Sequence, residues 1–274
     1  MSKIEKTNLE YEEKYTDMID RLTEQLKTIL PIFLEEFKDY IDPRQLEYLS
    51  DKKNVPNIIQ FVDDGMGAWH YDRHIYFSKK NNKICKKLKS HDEYGTQPNI
   101  KLIEPEDFIN NKKDYLDYLL YWILKGSTVL DYCLDILPHE IMHLIGSTGG
   151  VIGEGSTEAN TRRICKKYGI RYIPISHAKE LELVLSLENI FGIDVLTRSS
   201  FSRDFTILER EFNNLYGNQA FSREYGIVTQ MYTRYQTSHL DDPIKHYQTY
   251  RKINYGPMLE LLRGRREAET QEVK

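Results

Sequence analysis

The sequence predicts an α+β fold, with a small sheet in the first third of the chain and a mainly helical body behind it. Three observations lead there. Apolar residues recur at spacings of three and four over long stretches near both ends of the chain. After Pro56, short β-branched and aromatic runs bounded by turn residues take over. With 274 residues, 40% of them hydrophobic and 29% charged, the chain can bury a sizeable core. The expected organisation is a helical region over 1–55, one larger domain over 56–262 and a charged, frayed tail over 263–274.

Residues near 8–40 read as an amphipathic helix, because Met18, Leu22, Leu26, Ile29, Phe33 and Phe37 fall on one face. Pro31 interrupts the pattern, which predicts a kink or two consecutive helices. Pro43 is placed to open a short helix through Tyr48. Ile58 to Val62 reads as a strand and Asp63-Asp64-Gly65 as a turn. Ala68–His70 and His74–Phe77 read as two short strands around a tight turn at Asp72-Arg73. His74 to Ser78 is a candidate edge strand, able to pair with an extended peptide. The polar segment 79–104 reads as a loop, and 106–124 as a helix ended by Lys125-Gly126, with Ser127 capping the next. Pro138 either starts that next helix or kinks a longer one begun near Ser127. A further helix is expected from Glu154 to Tyr168, stopped by Gly169, and helical patterning continues to 262.

Composition narrows the function classes. A net charge of -4 and a pI near 6.1 carry no nucleic-acid footprint. The most apolar run, Tyr115 to Leu124, is too short to span a bilayer, and the polar N-terminus does not read as a signal peptide; a cytoplasmic location without membrane attachment is expected. Cys85, Cys133 and Cys165 are far apart and odd in number, which predicts reduced thiols.

The most informative residues are His139-Glu140-Ile141-Met142-His143. Two histidines four apart share one face of a helix, so both imidazoles can reach one ion. Glu140 beside them can take a proton from a metal-activated water. A catalytic zinc site needs a third protein ligand, and the sequence offers two acids nearby. Five of the 15 glycines lie between 146 and 155, letting the chain turn sharply toward Glu154 and Glu158, which are four apart on the following helix. A plainer reading of either acid is charge favoured by the dipole in a helix's first turn.

This constellation resembles the gluzincin arrangement of thermolysin-like and aminopeptidase-like zinc peptidases, in which His-Glu-x-x-His is followed by a ligating glutamate and a further acid. The resemblance covers roughly residues 136–165. It implies a zincin-like fold, one Zn²⁺ held by His139, His143 and Glu154, and Glu158 as the acid that orients the first histidine. It also implies hydrolysis of peptide bonds in a peptide or protein substrate, with Glu140 as general base. Gly153 stands where those families carry Asn, and the ten residues between His143 and Glu154 are fewer than in their best-known members. Glu158-Ala159-Asn160 is similar to a stretch of ImmA/IrrE-type peptidases; in that register Glu158 is the ligand, and the expected activity is cleavage of a repressor. The Glu-Gly-x-x-Glu spacing accounts for both acids and favours Glu154.

Donors for a developing oxyanion usually come from a later segment, where His177, Tyr225, Tyr235, His239 and His246 are candidates. His70 and His74 are also four apart, but strand-and-turn context does not make that spacing converge on a metal. A non-catalytic, zinc-stabilised binding module and a metal-free helical interaction protein are the readings from other classes.

Overall fold

The computed structural model describes residues 3–63, 68–71, 73–79, 129–146, 149–172, 177–202, 204–238, 249–250 and 252–272. The expected loop beyond Lys79, the helix expected over 106–124, Ser127, Cys85, His239 and His246 lie outside them. The described residues form two compact units: 3–79, 129–145 and 164–172 in the first, and 146, 149–163 and the described residues from 177 to 272 in the second. Together they are mainly helical with one small sheet, an α+β composition. Among them no helix is long and apolar enough to cross a membrane.

In the first unit, α1 (Lys3–Phe37) is a single helix with Pro31 inside it. Its heptad-like stripe of Met18, Leu22, Leu26, Ile29, Phe33 and Phe37 is buried as the periodicity requires. Pro31 and Lys27 lie on the exposed side, so the carbonyl that Pro31 leaves without an amide partner is on the wet face, and the helix survives the proline. The short helix α2 (Pro43–Ser50) carries Pro at its first position and is capped by Asp42, whose carboxylate accepts from the Arg44 and Gln45 amides at 2.9 and 3.2 Å.

Strands β1 (Ile59–Val62), β2 (Ala68–Tyr71) and β3 (His74–Ser78) form a sheet in the order β1-β3-β2. β3 runs antiparallel to β2, with Tyr71 opposite His74, and parallel to β1, with Ile59 opposite Ile75. Arg73 takes the left-handed conformation (φ 67°) that tight hairpin turns demand, and its guanidinium stacks over the Tyr48 ring at 4.4 Å. The expectation that His74–Ser78 is an edge strand is therefore wrong. β3 is the middle strand, its two ladder edges already taken by β1 and β2, and Ile75 and Phe77 are fully buried core.

Helix α3 (Val129–Leu144) packs against α1, β2 and β3 and runs through Pro138 without stopping. Its final turn is closed from a distance: Gln45 Nε2 donates to the Leu144 carbonyl at 2.8 Å, satisfying an acceptor that a helix end leaves open. Helix α4 (Gly150–Tyr168) begins four residues earlier than the sequence pattern places it and ends at Gly169, which is left-handed (φ 65°). Its last turn is tied to α1 by Lys167 and Tyr168, each 2.8 Å from the Glu36 carboxylate. Arg171 just beyond it reaches the buried Asp135 of α3 at 3.0 Å.

The second unit gathers α5 (Ala178–Phe191), α6 (Ile193–Ser202), α7 (Thr206–Tyr216), α8 (Ala220–Gln236) and α9 (Gly256–Glu272). α5 is its centre, buried on nearly all sides and packed on α6 and α9. α9 continues as helix through Glu272, past the point where charge patterning predicts fraying. Of the glycines expected to make a turn, Gly146 (φ 140°) and Gly150 (φ 82°) do so, while Gly155 has a different task. A Cβ there would overlap the Glu180 carbonyl oxygen and lie 2.6 Å from Val184 Cγ2, so α4 and α5 approach backbone to backbone. Replacing Gly155 by Ala is expected to cost about 1–3 kcal/mol by overpacking, read as a lower urea midpoint; an unchanged midpoint would contradict this close approach.

Candidate metal centre

α3 is apolar almost throughout, and its few polar side chains stand out against that background. Ile136, Leu137, Ile141, Met142 and Leu144 are buried, and so are His139, Glu140 and His143, at 7%, 7% and 5% exposure. Helical spacing stacks the two imidazoles one turn apart, ring centroids 4.8 Å apart, with the two Nε2 atoms facing each other at 3.1 Å. Neutral imidazoles in this pose can share one N–H···N hydrogen bond, or turn both lone pairs to a common cation. Tetrahedral ligation with metal–nitrogen bonds of about 2.0–2.1 Å places two ligand nitrogens roughly 3.3 Å apart, so the pair is already spaced for one ion.

A carboxylate joins them. One ligand atom each from His139, His143 and Glu154 lie within 4.8 Å of one another. These three residues could hold a metal ion, and their two imidazoles and one carboxylate are a donor set that suits zinc.

The two acids of α4 have different surroundings. Glu158 is fully buried and takes Arg162 Nε at 2.7 Å, an i,i+4 ion pair inside the protein. Glu154 is partly exposed and faces His177, whose Nε2 is 3.4 Å from Glu154 Oε2. The dipole reading of these acids does not apply, because α4 starts at Gly150 and its first turn holds no acidic residue. Asn160, the last residue of the Glu-Ala-Asn stretch, is engaged locally: it donates to Thr197 Oγ1 at 3.4 Å and accepts from Arg163 at 3.3 Å.

Of the residues considered as oxyanion donors, His177 sits against Glu154, and Tyr225 lies beside the first turn of α4, its hydroxyl 4.0 Å from the Cβ position of Gly150. Tyr235 stacks in an aromatic group with Tyr232 and Tyr250, and burial pushes all three hydroxyls well above the usual tyrosine range. Sequence reading missed Glu180, Tyr250 and Tyr255. Glu180 is fully buried on α5, accepting from Tyr255 at 2.7 Å on Oε1 and from Tyr250 at 2.8 Å on Oε2. A signal was there: Glu180 lies on the same helical stripe as Leu183, Val184 and Leu187, where an acid is out of place.

Comparison with protein-family models, curated proteins and solved structures found no match.

Burial raises the Glu180 carboxyl above the ordinary glutamate range; the two tyrosine hydrogen bonds act against this, and the charge of Glu154 adds to it. The native state thus keeps a proton that the unfolded chain releases from about pH 4.3 upward. Its contribution to stability is full below that point and is lost as pH rises through the native pKa. A Glu180→Gln variant, neutral at every pH, retains the neighbouring Glu154, His177, Tyr250 and Tyr255 but lacks this dependence. Between pH 4 and 8 wild type should lose more stability than the variant, measured by urea midpoints; parallel profiles would show that folding leaves the Glu180 titration unshifted.

Proposed function

We propose that this protein is a zinc-dependent peptidase with a zincin-like fold and a gluzincin-like ligand set. His139, His143 and Glu154 hold one Zn²⁺, Glu140 is the general base, and the substrates are peptides or proteins. The observation that carries the reading is the buried imidazole pair, Nε2 atoms 3.1 Å apart, accompanied by the Glu154 carboxylate. The pair brings two nitrogen donors together on one helix, with a carboxylate oxygen in the same group. The Arg162 ion pair on Glu158 supports Glu154 over Glu158 as the ligand, and with it the gluzincin-like register over the ImmA/IrrE-like one.

Zinc in such a site lowers the pKa of a coordinated water to about 7 and polarises a peptide carbonyl. The remaining work falls to the chain. His139 and His143 present neutral Nε2 lone pairs from a rigid helix, so the ligand geometry needs little reorganisation on binding. Glu140, buried in the same helical turn, takes the proton of the attacking water as the C–O bond forms. It then hands that proton to the departing nitrogen as the C–N bond breaks, so the carboxylate ends the cycle ionised.

Purified protein should carry about one equivalent of zinc, and less than roughly a tenth after mild handling would overturn the reading. Glu140→Gln should keep the zinc and lose about 10²–10⁴-fold of the cleavage rate on a mixed peptide library followed by mass spectrometry. Wild-type cleavage rates in that variant would remove the mechanism while leaving the metal site intact.

A further inference from the structure

We infer that His177 is a positioning residue that fixes the Glu154 carboxylate for metal binding, braced from behind by Glu180, Tyr250 and Tyr255. This rests on the zinc reading and adds a second layer to it, drawn entirely from one compact unit.

His177 occupies a place where neither backbone nor capping chemistry asks for histidine. It is the residue before α5 and adopts the left-handed conformation (φ 63°), which a side chain with a Cβ takes only at a cost. Residues that cap helices well at this position are Ser, Thr, Asp and Asn, and the His177 side chain makes no capping hydrogen bond. The imidazole is aimed elsewhere. It is largely buried between two carboxylates, with Nε2 3.4 Å from Glu154 Oε2 and Nδ1 3.9 Å from Glu180 Oε2.

Glu180 is a fixed post for that ring. Each of its oxygens takes a tyrosine hydroxyl, and the Tyr250 hydroxyl in turn accepts from the Lys179 amide at 3.0 Å. The distance between post and ligand is set by the backbones: Gly155, next to Glu154, is the point where α4 meets the Glu180 carbonyl. Tyr250 and Tyr255 thus fix Glu180 beside His177, whose Nε2 faces one oxygen of Glu154. The other oxygen, Oε1, is on the side of Gly149, 3.6 Å from where a Cβ on that glycine would stand. Groups that hydrogen-bond to ligating side chains typically contribute about 10–100-fold to metal affinity.

The test separates the imidazole from the backbone it sits on. His177→Gly removes the ring and also the left-handed penalty, so the apo variant should melt no lower than wild type. Its zinc affinity, measured by competition with a chromogenic chelator, should fall about 10–100-fold. His177→Gln, whose amide nitrogen reaches about as far as Nε2, should recover most of that loss. The d–d spectrum of the cobalt-loaded protein should shift in the Gly variant and return toward wild type in the Gln variant. Wild-type zinc affinity in His177→Gly would overturn the inference and leave the zinc reading standing. A wild type that binds no zinc would overturn the zinc reading itself.

Discussion

Two imidazole nitrogens held 3.1 Å apart inside an apolar helix are the constraint around which the rest of this structure is arranged. Burying polar nitrogens is costly unless each finds a partner, and here the two face each other. α3 keeps them and surrounds them with Leu137, Ile141 and Met142, all fully buried. The supports lie further out and are polar. Gln45 closes the last carbonyl of the helix and Arg171 pairs with Asp135 in its middle. The helix is thereby pinned at its middle and at its end by residues distant in sequence.

The buried acids of the second unit show what a structural carboxylate looks like in this protein. Glu158 is paired with Arg162, Glu188 with Arg163 in a two-pronged contact, and Glu182 with Arg263 at 3.3 Å. Each guanidinium offsets the desolvation of its acid, as a buried charge requires. Glu154 and Glu180 depart from the pattern, because the group between them is His177. A guanidinium stays charged at any accessible pH and competes with a metal for its carboxylate; an imidazole can hold one oxygen and leave the other to a cation. The difference in partner separates the acid proposed as a ligand from the acids that hold helices together.

How much of this was legible in the sequence depended on range. The α1 stripe, the three strands, the Gly169 stop and the histidine pair were readable because each follows from local periodicity or a residue's own backbone preference. At Pro31 and Pro138 the sequence left two outcomes open, and the continuous helix formed at both, since a helix tolerates proline when the orphaned carbonyl has water or neighbours to satisfy it. The rank of β3 in the sheet was out of reach: hydrophobic alternation marks a strand, but only pairing decides which strand is central. Glu180 was missed for a similar reason. Its significance depends on Tyr250 and Tyr255, 70 and 75 residues away, and no local pattern joins them.

The early start of α4 explains why Glu154 is suited to the ligand role proposed for it although the sequence pattern places it at a helix terminus. Had the helix begun there, its first amides would lack intrahelical partners, and an acid in the opening turn is the usual acceptor for them. The chain instead opens the helix at Gly150, so the amides without a partner along the helix fall before Glu154, and that of Ile152 is given to the Tyr225 hydroxyl. Gly150 and Gly153 are poor helix formers, each costing about 1 kcal/mol relative to Ala. The return on that cost is position. Glu154 falls in the second turn, where backbone amides are already bonded along the helix, and its carboxylate is left to side chains and ions. Gly155 then lets α5 approach closely enough for His177 to reach it. The glycines between 146 and 155 thus divide their work among turning the chain, displacing the helix start and admitting a neighbouring backbone, and Glu154 depends on all three.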